Sequence, residues 1–281
     1  MRTLEKTILV LFLLALAPFC LVAQSSKVVK EKRDLSGFSA INMSGSWDAV
    51  ITQGKNFSVT IEANEESIDD IRIKVKGETL YVANKRNKHR VNILNTRCDI
   101  RKVRITLPEL EEITASGGSG VLSQTPFRTE NLKIVMSGGS SLKSLLLDCQ
   151  SLDCKMIGGS DANILLVNAK IVNINNSGGS DLSLSGLFAE VLDLQSVGGS
   201  HVKLEGETNN LTVNSSGGSN VSAFKLKVKN CTASISGAAD VDLYVTDSLN
   251  AFISGVSDVR CKGNPQEVVK TISKSSSLKM M

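Results

Sequence analysis

The sequence predicts an all-β protein, a right-handed parallel β-helix built from coils of about 20 residues. Three observations carry this reading. A short phrase recurs as Ser116-Gly117-Gly118-Ser119, Ser137-Gly138-Gly139-Ser140, Ile157-Gly158-Gly159-Ser160, Ser177-Gly178-Gly179-Ser180, Val197-Gly198-Gly199-Ser200 and Ser216-Gly217-Gly218-Ser219. Degenerate copies follow at Ser236-Gly237-Ala238-Ala239 and Ser254-Gly255-Val256-Ser257, and the first glycines step by 21, 20, 20, 20, 19, 20 and 18 residues. Apolar and polar residues alternate on both sides of each glycine pair, the period of a strand rather than a helix. Finally, the 281 residues are 41% hydrophobic but only 4% aromatic, with 22 Gly and 4 Pro, which suits many thin layers better than one bulky core.

The elements follow in chain order. Arg2 and Lys6 precede an apolar run from Ile8 to Phe19, and Leu21-Val22-Ala23 ends on a small residue. This reads as a secretory signal peptide over 1–23, cleaved near Ala23, and the run is short for a membrane span. Cys20 follows Phe19 where a lipoprotein signal carries a small residue, which argues against lipidation. No other stretch is long and apolar enough to span, so the mature chain is expected in the periplasm, at the outer-membrane surface or outside the cell. Residues 24–35 read as a polar tail. Residues 36–113 are β-patterned but irregular, and Ser44-Gly45-Ser46-Trp47-Asp48 resembles the repeat corner. This segment is expected to cap the solenoid with longer coils. The basic run Lys85 to Arg90 reads as a solvated loop.

The regular repeat spans 114–263. After each glycine pair the apolar column is Val121, Leu142, Ala162, Leu182, Val202, Val221, Val241 and Val259. Before the next pair come Leu132 and Ile134, Leu152 and Cys154, Val172 and Ile174, Leu192 and Leu194, and Leu211 and Val213. These side chains point inward, while Ser, Asp, Asn and Lys point out. Each glycine pair marks a tight corner that needs positive φ or close packing between coils, and the following serine is placed to hydrogen-bond its neighbours. A Gly/Ser face for a ligand is the weaker reading. Residues 264–281 read as a polar, Lys-rich tail.

The residues Phe38-Ser39-Ala40-Ile41, Gly45-Ser46-Trp47-Asp48-Ala49-Val50-Ile51-Thr52-Gln53-Gly54 and Leu107-Pro108-Glu109-Leu110, together with the Ser-Gly-Gly-Ser repeats, resemble the auto-transporter adhesin head GIN domain family. The resemblance covers about residues 36–263. It implies a β-helix-like fold and an envelope or surface location in Bacteroidetes-type bacteria, and it supplies no catalytic residues. No translocator barrel is expected after the repeats, because Leu278-Lys279-Met280-Met281 lacks the terminal aromatic of a barrel strand. A self-transporting adhesin is therefore not expected.

The net charge is +4, or +3 once Arg2, Glu5 and Lys6 leave with the signal peptide. That excludes steering to nucleic acid as a first reading. Two histidines make a His-rich metal site unlikely, and no cofactor motif, nucleophile elbow or phosphate loop occurs. The cysteines after cleavage, Cys98, Cys149, Cys154, Cys231 and Cys261, are odd in number and fit neither a disulfide framework nor a zinc site. Cys154, Cys231 and Cys261 fall on inward positions. Cys149 reads as a loop residue, and a Cys149–Cys154 bridge would have to pull Cys154 out of the core.

The position after Gly-Gly-Ser reads Gly120, Ser141, Asp161, Asp181, His201, Asn220, Asp240 and Asp258. Stacking would bring Asp161 and Asp181 to about 5 Å with His201 next. This is the candidate ligand-binding site, with a weaker Ca²⁺ or acid/base reading for the two carboxylates. The reading preferred for these carboxylates is that Asp here hydrogen-bonds the corner backbone. Trp47, beside a corner, is the candidate aromatic platform, although a place in the cap core suits it better. The function expected is a non-catalytic envelope or surface module that binds a glycan or an envelope protein. Two further readings are a polysaccharide lyase or hydrolase, and an envelope spacer that self-assembles by end-to-end β-helix stacking.

Overall fold

A computed structural model describes residues 27–85 and 100–281. The signal peptide, Cys20, Cys98 and residues 86–90 of the basic run lie outside the described residues. The chain forms a β-solenoid of about eight turns with coils roughly 20 residues apart. Its first strands are β1 (Val28–Arg33), β2 (Ala40–Ser44), β3 (Asp48–Gln53), β4 (Ser58–Asn64), β5 (Ile71–Lys76), β6 (Thr79–Asn84), β7 (Arg101–Leu107), β8 (Glu112–Ser116) and β9 (Gly120–Ser123). A short 3-10 helix, Glu65–Asp70, precedes β5.

Coil order at this end departs from sequence order. The coil β2–β3 sits between an outer coil made of β6 and β7 and the first regular coil, β8–β9. Ile41 is thus flanked by Leu80 and Ile113, and Ala49 by Val103 and Val121. Beyond the outer coil the strands turn antiparallel: β5 pairs with β6, and β4 lies between β7 and β1. Glu62 fastens this cap, accepting from Arg104 Nε at 2.8 Å with Lys30 Nζ at 3.4 Å. The Arg104 hydrogen bond holds its carboxyl below the usual carboxylate range. The cap foreseen as longer coils of the same stack therefore includes antiparallel strands, which cover the first open edge.

The regular coils are β10 (Phe127–Ser137), β11 (Ser141–Gly158), β12 (Asp161–Val167), β13 (Ile171–Gly178), β14 (Asp181–Gly198), β15 (His201–Gly217), β16 (Asn220–Ile235), β17 (Asp240–Ile253) and β18 (Asp258–Lys262), paired in parallel throughout. Both stretches expected to be tails are strands where described. Residues 28–33 form β1, and β19 (Glu267–Ile272) and β20 (Ser277–Met280) form a last coil on β17 and β18. Their Lys-rich composition hides a strand because little of them is buried: alternate residues of β1 are partly buried, but in β19 only Ile272 and in β20 only Leu278 are.

The core is a set of inward columns. Val121, Leu142, Ala162, Leu182, Val202, Val221, Val241 and Val259 are all buried, as are Leu132, Leu152, Val172, Leu192 and Leu211 before the next corner. Cys154, Cys231 and Cys261 are buried among them. Cys149 is also buried and lies within β11, so the loop position expected for it is wrong; its place is an inward register position. Cys149 and Cys154 are both free thiols, with no bridge between them.

At each corner the first glycine adopts positive φ, from 61° at Gly138 to 86° at Gly198 and Gly237, a region that costs other residues about 1–2 kcal/mol. A Cβ there would meet the first glycine of the preceding coil: at Gly217 it would lie 3.0 Å from the nitrogen of Gly198. The serine that follows is buried and closes the turn. Ser119 and Ser180 donate to the carbonyls of Ser116 and Ser177 at 2.8 and 2.9 Å. Ser140 donates instead to the preceding coil, at the carbonyl of Ala115. The glycine pair is a structural corner.

Gly217→Ala should lower unfolding free energy by at least about 2 kcal/mol, from the forbidden φ and the backbone contact together. Gly218→Ala, whose Cβ meets only the Gly198 carbonyl oxygen at 3.9 Å, should stay within about 0.5 kcal/mol of the parent in a urea titration. Equal losses at both positions would contradict this account of the corner.

Candidate functional site

The position after each corner becomes one outward ladder. Ser141, Asp161, Asp181, His201, Asn220, Asp240, Asp258 and Ser277 are successive register partners. Neighbouring coils stand about 4.8 Å apart, so Asp161, Asp181 and His201 form the compact set expected from the sequence. All three are exposed. They line an open groove of about 410 Å³ together with Lys143, Asn163 and Lys203. Lys203 is engaged by Glu205 at 2.8 Å.

The ladder carboxylates are not what closes the corner. That hydrogen bonding is done by the serine one residue earlier, and Asp161 and Asp181 make no side-chain hydrogen bond to the corner backbone. Further along, the ladder residues do find partners: Ser277 donates to Asp258 at 2.6 Å, and Ser222 donates to Asn220 at 3.3 Å. Among the described residues no group of three or more His, Cys, Asp or Glu side chains is placed to hold a metal ion. Calcium takes six to eight oxygen ligands, and two carboxylates on one flat ladder supply a minor part of such a shell.

Trp47 is the correction to the candidate set. Its ring is fully buried, and its indole N–H donates to Asn84 Oδ1 at 3.2 Å. It fills the cap core at the Gly45-Ser46 corner and offers no face to a ligand. The exposed aromatic rings are elsewhere, at Phe188 and Phe252, and Phe188 is 63% exposed. Sequence reasoning passes over Phe188 because a lone Phe in an alternating run resembles a core residue. The signal available is its parity: it lies between Leu187 and Ala189, which are both buried. A second surface group, also unmarked in the sequence, joins Phe224, Tyr244, Arg260 and Lys262. The Lys262 ammonium lies 4.6 Å from the Tyr244 ring centre, and Arg260 forms a two-pronged pair with Asp242.

A stack of parallel coils that turns one polar ladder outward defines a repeat scaffold of the β-solenoid class, which presents surface rather than enclosing a cleft. The chain belongs to the family described as "putative auto-transporter adhesin, head GIN domain", which matches residues 37–190 and 165–265. Solved structures share the fold. A protein from Parabacteroides distasonis ATCC 8503 described as a putative adhesin aligns with a TM-score of 0.63 at 17% identity, over 92% of this chain and 98% of that one. One from Parabacteroides merdae ATCC 43184, described in the same words, gives 0.61 at 18% identity, over 92% and 97%. A second Parabacteroides distasonis protein, described as a putative lipid binding protein, gives 0.60 at 19% identity, over 92% and 98%. No protein of curated function matches the chain. Among the described residues no helix is long and apolar enough to cross a membrane.

The buried cysteines are built for packing rather than chemistry. Burial pushes the Cys154 and Cys231 thiols up to about 12, with Asp153 adding to the first and Cys261 to the second. Burial, with Asp148, raises Cys149 to about 11. Thiolate is the reactive form, so these thiols should resist iodoacetamide at pH 8 until the chain is unfolded. Above the ordinary thiol value of 9 the unfolded chain ionises while the folded chain keeps its protons. The folded state then binds more protons, and stability falls as pH rises from about 9 towards 12, by up to about 1.4 kcal/mol per pH unit for each thiol. A Cys154→Ala, Cys231→Ala double variant should be less stable at pH 7 and show a shallower decline between pH 9 and 10.5 in urea titrations.

Proposed function

We propose that the protein is an exported cell-envelope or surface adhesion module that holds a glycan against its polar flank and does not cleave it. The observation that carries the reading is the Asp161, Asp181 and His201 ladder: exposed, brought together in one groove, and not used by the corner that positions it. Such a ladder offers acceptors and a donor at regular spacing to the hydroxyls of a sugar chain. Membership of an adhesin-described family supports the same reading. Export follows from the leader read over 1–23, with cleavage near Ala23.

Hydrolysis is the second reading, because carboxylates one coil apart approach the separation of about 5–5.5 Å used by retaining glycosidases. Acid/base work needs two carboxyls in unlike environments. Asp161 and Asp181 are exposed register partners in the same groove, which favours binding over cleavage. An envelope protein, or other copies of the chain, are the partners to consider if no glycan is held.

Purified residues 24–281 should be retained on at least one of a panel of bacterial and host polysaccharide columns, and the eluted polymer should keep its length. An Asp161→Ala, Asp181→Ala variant should elute earlier while melting like the parent, since both side chains are outside the core. Shortened polymer in the eluate would sink the non-catalytic reading. Passage of the parent through every column, with assembly that rises with concentration, would favour the structural spacer.

A further inference from the structure

We infer a second, separate saccharide site on the flank between the two main strands of the coils, with Phe188 as its stacking platform and a short neutral pyranose oligosaccharide as its ligand. The inference rests on the glycan-binding reading above and adds to it a second site on different residues.

Three features meet there. The coil starting at Asp161 is broken: β12 ends at Val167 and β13 begins at Ile171, whereas β11, β14, β15 and β16 run through the same point as single strands. The break is held by Asn168 in the left-handed region at φ 60°, uncommon for a residue with a side chain. Beside it, Phe188 is the most exposed aromatic ring among the described residues. At the foot of these lies a cavity of about 270 Å³ lined by Gln150, Asn168, Lys170, Phe188 and Glu190. The inward column is small at this point, with Cys149, Ala169 and Ala189 where later coils carry Val228 and Val245. Small inward residues draw the flank in and leave room above it.

The cavity does not end there. A second one, of about 580 Å³, shares Cys149, Gln150 and Lys170 with the first and continues to Arg128 and Glu109. The two form one groove running along the solenoid axis from the coil of Phe188 to the coil of Arg128. That is three coil steps, or about 14 Å.

The lining selects the ligand class. An exposed ring beside amides and hydroxyl acceptors suits the apolar face and rim hydroxyls of a pyranose. The charges argue against an anion: Glu109, Glu130, Asp148 and Glu190 outnumber Arg128 and Lys170, and Arg128 is already paired with Asp148 at 3.6 Å. A uniform polyanion would meet Glu109, Glu130 and Glu190, so a neutral oligosaccharide fits better.

The test uses the full mature chain. Trp47 is the sole tryptophan and is buried, so Phe188→Trp adds one exposed reporter with little background change. Titration with cellohexaose, mannohexaose and N-acetylchitohexaose should shift its emission to shorter wavelength for at least one sugar, with hexagalacturonate weaker. Phe188→Ala should weaken binding of that sugar at least about 10-fold, the size of losing one aromatic anchor, with an unchanged melting curve. The Asp161→Ala, Asp181→Ala variant should keep it. The reverse pattern, in which the Asp variant loses binding and Phe188→Ala keeps it, would overturn this site and leave glycan adhesion standing. A reporter unmoved by every sugar while polysaccharide columns still retain the chain would do the same. No shift together with no column retention would remove both readings.

Discussion

The close approach of glycine backbone to glycine backbone at one corner of each successive coil, from Gly45 to Gly255, is the constraint on which the rest depends. The first glycine of each pair lies over its counterpart in the coil before, and no side chain can be interposed. Gly178 would place a Cβ 3.0 Å from Gly158, and Gly255 would place one 2.3 Å from the Gly237 carbonyl oxygen. With the corner fixed, the residues on either side are in phase from coil to coil, and alternation sends the same columns inward each time. The buried serine two residues later locks that phase. Where the side chain inside the corner is also polar, the two pair: the Ser180 hydroxyl shares its one proton between the Ser177 carbonyl and Asn176 Oδ1, 2.5 Å away, and the hydroxyls of Ser196 and Ser200 lie 2.9 Å apart. The corner is thus a dry polar seam whose groups satisfy one another, as burial demands.

The same constraint explains what was legible in the sequence. A corner that only glycine can make leaves a mark that recurs every coil, so period, register and the inward columns could all be read from Gly117 to Gly255. The pairing of Asp161 with Asp181 and of Asp181 with His201 followed from that register alone. The N-terminal end could not be ordered in this way. Ser44-Gly45-Ser46 marks a corner, but nothing local says that β6 and β7, later in the chain, lie outside it. That order is set by long-range contacts such as Ile41 with Leu80. Nor could the last coil be seen, because its turn at 273–276 contains no glycine and its strands are almost wholly exposed, with Lys270 and Lys279 on the surface. Trp47 was ambiguous for a related reason, since a large ring beside a corner can cap a core or face solvent, and only the Asn84 acceptor decides between them.

A regular repeat also changes what counts as a sign of function. In a coil the corner and the inward columns are committed to folding, so their recurrence says nothing about binding. Outward positions are free to vary one by one, and a run such as Asp161, Asp181 and His201 is informative because the corner does not use it. A departure from the repeat is more informative still, because the stack has to accommodate it at some cost. Asn168 in the left-handed region and Phe188 in solvent are two such departures on adjoining coils, and each would be easier to fold as something else. Both lie on outward or broken positions rather than in the core columns. Substitutions there can remove binding without loosening the stack, and a phenotype that leaves the melting curve in place therefore reports on recognition rather than on the fold.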